Sequence, residues 1–219
     1  MFDRSVQRVV DSFTASADWF VALTRAVPSA AWEANGLGEW TVLDLVGHTS
    51  RALSTVWEYL TDSVGEPELQ EVIDYYRGFA LVKGSAGVAL NAGIAERGRQ
   101  AGTELGGDPA ATVMKLRDEV VEIVNTVSLD RLVTSRGGSI RMREYLPTRT
   151  LELIVHGLDL HRALTAAGAV DLPPVPSSSL ADVAHVLVDV AAAHGPDSLA
   201  ELATAVTGRT ALRADYSVL

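Results

Sequence analysis

Apolar residues recur every three or four positions along most of the chain, and this pattern predicts a mainly helical protein. In the first segment the apolar positions run from Val6 to Leu23, and the pattern stops before Pro28. Glycine- and proline-containing stretches separate the later segments and indicate turns. We expect helices, with approximate limits, over 3–26, 41–62, 68–79, 88–105, 109–127, 145–168, 180–194 and 196–207.

Local signals refine some of these limits. Thr41-Val42-Leu43-Asp44 resembles a capping box in which aspartate replaces glutamate. Asp108-Pro109 combines an N-cap with a proline at the first helical position. The glycine-containing stretches 32–40 and 135–143 predict a loop and a loop or short extended piece. The proline- and serine-rich linker 173–179 suggests a helical domain over residues 1–168 and a short helical or α/β extension over 169–219.

Glu152 and His156 stand one turn apart in an otherwise apolar helix. At ~100° per residue, they share a narrow stripe with Asp159. Apolar residues border this stripe on both sides: Leu151, Val155, Leu153 and Leu160. The stripe should therefore face the protein interior, where a carboxylate needs a partner or a cation because desolvation of its charge is costly. Spacing alone leaves two interpretations open, a structural Glu–His hydrogen bond and a metal or catalytic site.

Composition restricts the available chemistry. The 219 residues suffice for one large domain or for one domain with a small appendage, and 47% of them are hydrophobic, enough to fill a core. The chain has no cysteine, so it has no disulfide, thiolate ligand or cysteine nucleophile. A bound metal would have to use histidine and carboxylate ligands. Thiol chemistry would require a thiol from outside the chain.

Charge and hydropathy argue against several classes of partner. The net charge is −10 and the basic residues do not cluster, so nucleic-acid binding is not expected. The apolar runs are too short to cross a bilayer, so no membrane partner is expected. The first residues lack the basic start and apolar core of a secretory signal, which predicts a cytoplasmic protein.

His48 is a further candidate ligand, two turns into the helix that begins near Thr41. Ala52, Thr55 and Tyr59 share its stripe, and the two smaller residues would leave room beside the imidazole while Tyr59 could close a pocket. The alternative is a partly exposed histidine that binds nothing.

Two segments resemble a known family. Trp40-Thr41-Val42-Leu43-Asp44-Leu45-Val46-Gly47-His48 is similar to one signature of DinB-like proteins, specifically the mycothiol-dependent maleylpyruvate isomerase group. The segment Arg149–Leu160, which contains Glu-Leu-Ile-Val-His, is similar to the second signature of that group. The resemblance covers roughly residues 5–168. It implies a four-helix bundle, a metal triad of His48, Glu152 and His156 that usually holds zinc, and mycothiol as the thiol.

The residues are suited to the chemistry that this resemblance implies. Two histidines and one carboxylate with open positions form a catalytic rather than a structural zinc set. Such a metal could bind a thiol and lower its pKa. The expected activity is therefore a thiol-using transferase or isomerase that acts on a small electrophile. In an isomerase the thiolate would add to a conjugated double bond, allow rotation and leave. In a transferase it would stay attached to the electrophile.

Four further residues are candidates for supporting roles. Asp159 could act as a base, as an acceptor that orients His156, or as an ordinary buried hydrogen-bond partner. Arg77 could bind a substrate carboxylate or the thiol, or could simply pack at the surface. Arg149 could pair with Glu152 or reach the pocket, and Tyr59 and Arg149 are the candidate thiol-binding residues. His161 lies opposite the stripe and is predicted to face solvent.

Other functions remain open at this stage. The metal could support a hydrolysis or an isomerisation that uses no thiol. The chain could also be a non-catalytic helical module that binds a small hydrophobic ligand, or a dimerising scaffold in which the Glu–His pair is structural. A homodimer is compatible with each of these functions.

Overall fold

The computed structural model of the protein describes residues 5–61, 65–80, 84–214 and 216–218, without the side chains of residues 78–80, 84–88, 90 and 91. Two of the expected helix limits, Asp3 and Asp62, lie outside these residues. The described chain is mainly helical, as its apolar spacing predicts. Its helices are α1 (Val6–Arg25), α2 (Val42–Glu58), α3 (Val72–Ala80), α4 (Gly84–Glu104), α5 (Pro109–Thr126), α6 (Met142–Ala166), α7 (Ser177–Ala193) and α8 (Pro196–Val206).

Two short antiparallel hairpins connect the helices. β1 (Asn35–Leu37) and β2 (Trp40–Thr41) lie within the stretch expected to be a loop, and β3 (Leu132–Ser135) pairs with β4 (Gly138–Arg141). The second hairpin extends the expected extended piece toward the N-terminus. Its strands also hydrogen-bond beyond the hairpin, because Thr134 N donates to Tyr59 O and Leu69 N donates to Ser139 O. These contacts tie the hairpin to the end of α2 and the approach to α3.

Local signals fix the helix starts in two places. Thr41 Oγ1 accepts from the Asp44 amide at 3.1 Å and Asp44 Oδ2 accepts from the Thr41 amide at 3.0 Å, which confirms the capping box. Asp108 caps α5 through the Ala111 amide. By contrast, α6 begins at Met142, three residues before the expected start, and continues through Pro147. The proline removes one backbone hydrogen bond, while the fully buried Met142, Tyr145 and Leu146 anchor this turn in the core.

The core lies between the long helices. α1 packs against α5 and α6, and α2 packs against α4, α5 and α6. Fully buried side chains from these helices fill the centre, among them Phe13, Phe20, Leu45, Leu53 and Ile154. This packing of long helices around one core agrees with the helical bundle that the sequence resemblance implies. No helix in the described ranges combines the length and the apolar character that a membrane crossing requires.

Glycines allow α2 and α4 to approach closely. A Cβ atom on Gly47 would lie only 2.1 Å from the backbone nitrogen of Gly102. One turn earlier on α4, a Cβ atom on Gly98 would lie 3.0 Å from the ring of Trp40 and 3.3 Å from Cβ of His48. These contacts are backbone against backbone and backbone against ring, so larger residues would push α4 away from α2. The glycines therefore determine where His48 lies.

Two helices, α7 and α8, follow the linker, and the described residues after Val206 are not helical. α7 packs against α1, α3 and α6, and it contributes Val183, Val186 and Val190 to the common core. Trp19 Nε1 donates to Pro173 O at 2.9 Å, so the linker is also held against α1. α8 packs against α7 and has no buried residue. The division of the chain near residue 168 stays a prediction.

Candidate metal centre

Three donor side chains meet where α2 and α6 pack together. His48 comes from α2, and Glu152 and His156 come from successive turns of α6. Glu152 Oε2 lies 3.7 Å from His48 Nε2 and 3.4 Å from His156 Nε2. One donor atom from each residue lies within 4.8 Å of the other two, so a single cation could contact all three. The two imidazole rings stand nearly perpendicular, with centroids 4.8 Å apart.

The three side chains are shielded but not sealed. Their exposed fractions are 17% for His48, 28% for Glu152 and 19% for His156. Partial exposure leaves a route for a small molecule to reach the donors, while the surrounding protein limits contact with water.

Asp159 orients His156. Its Oδ2 lies 3.1 Å from His156 Nδ1, and because an ionised carboxylate only accepts, Nδ1 is the donor. Asp159 also pairs with Arg162. The hydrogen bond fixes the ring so that Nε2 faces Glu152 and His48. Carboxylate–histidine contacts of this kind commonly accompany metal-binding histidines.

Trp40 contacts His48, the other histidine of the site. Its ring centroid lies 4.6 Å from that of His48, and its Nε1 donates to Ala95 O at 3.2 Å. The indole therefore connects α2 with α4 and covers one side of the His48 ring. Sequence reasoning did not assign a role to Trp40, although it stands first in the motif that ends at His48. Its position at the start of the motif was the available signal.

Electrostatics keep the carboxylate ionised. Burial alone would raise the pKa of Glu152, but hydrogen bonds from His156 and His48 and the charge of Arg149 outweigh it and hold the pKa well below its ordinary value. The same environment shifts the pKa values of the two histidines in opposite directions. Burial lowers the pKa of His48. Burial also opposes the charged form of His156, but Asp159 and Glu152 prevail and raise its pKa to about 9.

Arg149 lies one turn before Glu152 on α6 and is buried. Its Nε donates to Thr148 Oγ1 at 3.0 Å and its Nη2 donates to the Tyr75 hydroxyl at 3.0 Å. The guanidinium carbon lies 4.7 Å from the centroid of the Tyr145 ring and 5.5 Å from that of Tyr75. The sequence left two roles open for Arg149, an ion pair with Glu152 or a position in the pocket. No ion pair with Glu152 is formed within the described chain, but the charge of Arg149 lowers the pKa of that carboxyl group.

The remaining candidates, Tyr59, Arg77 and His161, are not among the three converging donors. Tyr59 is half-buried at the end of α2, and its ring centroid lies 6.4 Å from that of Tyr145. Arg77 is exposed, pairs with Asp74 at 3.1 Å and lines a groove between α3 and α7. None of its described contacts involves a triad residue. His161 is half-buried rather than fully exposed and is not among the three converging donors.

A helical bundle with converging His, Glu and His side chains defines a class of candidate metalloproteins. The sequence model of the mycothiol maleylpyruvate isomerase N-terminal domain matches residues 13–161. The chain belongs to this family, as its two motifs predict, and the match includes all three donors together with Arg149 and Asp159. Comparisons with curated proteins and with solved structures gave no match.

Proposed function

We propose that the protein is a metal-dependent enzyme that uses a low-molecular-weight thiol to transform a small electrophile. Zinc is the proposed metal and mycothiol the proposed thiol, with S-transfer or cis–trans isomerisation as the reaction. The proposal rests on the convergence of donor atoms from His48, Glu152 and His156 within 4.8 Å, in a chain that belongs to the mycothiol maleylpyruvate isomerase family. The cytoplasm, where small thiols stay reduced, is the proposed compartment.

The donor set is suited to zinc. Two imidazoles and one carboxylate are ordinary zinc ligands, and three protein ligands leave a coordination position for an exogenous group. The chain has no cysteine that could compete for that position. When bound, the metal would act as a Lewis acid that lowers the pKa of a thiol and favours the thiolate near neutral pH.

The surrounding residues have distinct proposed roles. Asp159 holds the His156 ring through Nδ1, and Trp40 packs on His48, so both imidazoles are held in position before any ligand arrives. The hydrogen bonds from His156 and His48 and, to a lesser degree, the charge of Arg149 keep Glu152 anionic. Tyr59 and Arg149 lie on the side of the site where α2, α3 and α6 meet, and we assign this side to the binding of the thiol and the electrophile. Arg77 lies away from this side.

The two reactions share a first step. The thiolate adds to an electrophilic carbon and forms a C–S bond. In isomerisation the electron pair of the double bond moves onto a conjugated carbonyl, the former double bond rotates, and elimination of the thiolate restores the double bond in the other configuration. In transfer the C–S bond persists, and either a leaving group departs or a proton adds to the adjacent carbon.

Metal analysis and a thiol panel test this function. Protein purified without a histidine tag should contain about one zinc per chain, and turnover should require both zinc and a thiol. The panel compares mycothiol, glutathione and no thiol against maleylpyruvate and model electrophiles, with His48→Ala as the control. Zinc-dependent turnover that is the same without a thiol would reject the thiol mechanism in favour of a hydrolase or a thiol-free isomerase. Failure of the wild-type protein to bind any divalent metal would reject the enzyme proposal as a whole.

A further inference from the structure

Three arginines from separate segments meet near Tyr59, at the end of α2. Arg51 comes from α2, Arg97 from α4 and Arg136 from the turn between β3 and β4. Burial, together with the charges of Arg136 and Arg51, lowers the pKa of the Arg97 guanidinium, so the three positive charges lie close to one another. Among the described residues Tyr59 alone opposes this shift, and no carboxylate does. A cluster of like charges therefore stands in a chain whose net charge is −10.

Helix packing brings Arg51 and Arg97 together. α2 and α4 run antiparallel, and a Cβ atom on Gly98 would lie 3.3 Å from Cβ of His48. Arg51 stands about one turn beyond His48 on α2, and Arg97 directly precedes Gly98 on α4. Nη1 of Arg97 lies 3.2 Å from the position of a Cβ atom on Gly93, so this side chain reaches back along α4 by about one turn. Because the two helices are antiparallel, that direction leads toward Arg51.

The second hairpin brings Arg136 to the same end of α2. Thr134 N donates to Tyr59 O at 2.8 Å, which joins β3 to the residue that ends α2. The turn that carries Arg136 is held by Ser135, whose Oγ donates to Gly138 O at 2.7 Å. Hydrogen bonds of the hairpin, and not an ion pair, therefore position this arginine.

The three guanidinium groups have no carboxylate partner among the described residues. Neighbouring arginines differ in this respect, because Arg99 on α4 pairs with Glu96 at 3.2 Å and Arg141 on β4 pairs with Glu66 at 3.6 Å. Two arginines of the cluster are half-buried and the third is exposed, so a small molecule can reach them from solvent. Like charges repel one another, and a bound anion would relieve this repulsion.

We propose that Arg51, Arg97 and Arg136 bind the phosphate group of a small phosphate monoester. Such a group carries nearly two negative charges at neutral pH and offers three strong acceptor oxygens, which suits three guanidinium groups better than a single carboxylate does. The planar fork of each arginine can donate to two of these oxygens. The site goes beyond the proposed function, because it requires neither the metal nor the thiol. Since Arg51 stands about one turn from His48, the bound phosphate would border the candidate metal centre.

Calorimetric titration with phenyl phosphate tests the site in the zinc-loaded protein. At constant ionic strength we expect saturable binding of one molecule per chain and competition by inorganic phosphate. Succinate, a dianion without a phosphate group, should displace phenyl phosphate only at concentrations about ten-fold higher or more. Equal displacement by succinate would show a general attraction of anions and would overturn the phosphate assignment.

Substitutions on α4 show whether the cluster holds the ligand. Arg97→Met should weaken phenyl phosphate binding about ten-fold or more, because charge-assisted hydrogen bonds are lost. Arg97→Lys keeps the charge without the planar fork, so it should lose less. The matched control is Arg99→Met, whose arginine already has a carboxylate partner, and it should stay within about two-fold of wild type. Equal losses in Arg97→Met and Arg99→Met would mean that only net charge matters, and unchanged binding in Arg97→Met would mean that the metal holds the phosphate. Either result would overturn the proposal.

Melting temperatures distinguish a ligand-binding arginine from a structural one. Without ligand, Arg97→Met should melt at the wild-type temperature or higher, because the substitution removes like-charge repulsion. Phenyl phosphate should raise the melting temperature of wild type and not that of Arg97→Met. A lower melting temperature of unliganded Arg97→Met would make the arginine structural and overturn the proposal. The same would follow if sodium chloride at equal ionic strength stabilised wild type as much as phenyl phosphate does, because screening alone would then explain the effect.

Discussion

Gly47→Ala should weaken both the fold and the metal site, because α2 and α4 touch through their backbones at this position. The new Cβ atom would lie 2.1 Å from the nitrogen of Gly102, so the contact must lengthen by more than about 1 Å to reach ordinary van der Waals distance. No side-chain rotation relieves a clash with backbone. Alanine gains ~1 kcal/mol of helix propensity over glycine. Overpacking costs about 3 kcal/mol or more when the backbone itself must shift, so we expect a net loss of at least about 2 kcal/mol.

The assay compares two glycine-to-alanine changes in the paired helices. Urea unfolding, followed by circular dichroism, gives the free energy of unfolding of wild type, Gly47→Ala and Gly93→Ala. Among the described side chains, the new Cβ at Gly93 would meet only the end of the flexible Arg97 side chain, at 3.2 Å. There the propensity term should prevail, and the variant should gain about 0.5–1 kcal/mol.

The same comparison reports on the metal site. His48 follows Gly47 directly, so a displacement of α2 from α4 should also misplace its imidazole relative to α6. We expect zinc affinity to fall about ten-fold in Gly47→Ala, in line with the loss from disturbed ligand positioning, and to stay unchanged in Gly93→Ala. If Gly47→Ala were as stable as Gly93→Ala and bound zinc as tightly, the close approach of the two helices would be refuted.

Three further predictions concern the donors. His156→Ala should lose zinc and remain folded, while His161→Ala should keep zinc, as measured by metal analysis and circular dichroism; equal metal loss in both variants would contradict the assigned triad. Asp159→Asn should weaken zinc binding ~10–100-fold with little change in melting temperature, and unchanged affinity would exclude the orienting role. Because the pKa of His156 is raised to about 9, this ring carries a proton at neutral pH that zinc must displace, whereas the lowered pKa of His48 leaves that ring neutral. Zinc binding at pH 7.5 should therefore release about one proton, and affinity should rise about ten-fold per pH unit between pH 6.5 and 8.5. Calorimetry in buffers of different ionisation enthalpy measures this release, and a pH-independent affinity would contradict the assigned protonation.

Features set by neighbours in sequence could be predicted without a structure. The helical spacing of apolar residues predicts the helices, and the capping box at Thr41 and Asp44 forms from residues three apart. The pairing of Glu152 with His156 has the same origin, because side chains four residues apart on a helix always lie close together. The orientation of His156 by Asp159 is local as well. The start of α6 was missed because the anchoring contacts of Met142 and Tyr145 lie in the core, outside the local pattern.

Residues brought together from distant segments could not be predicted from spacing. His48 joins Glu152 across more than a hundred residues of chain, and only the family resemblance pointed to this meeting. Tyr76 and Arg77 are adjacent in sequence, and Arg77 was the candidate. Successive helix positions differ by ~100° in direction, so the Tyr76 side chain is buried while that of Arg77 is exposed and pairs with Asp74.

The sequence by itself determined the helices, the capping box and the Glu152–His156–Asp159 stripe, since each depends on contacts within one or two turns. Only the tertiary structure decided that the stripe faces His48 and that Gly47 lets α4 approach α2. The physical reason is that helix formation depends on the local spacing of side chains and hydrogen bonds. The meeting of two helices depends on the shapes and volumes of all side chains between them, which no short stretch of sequence contains.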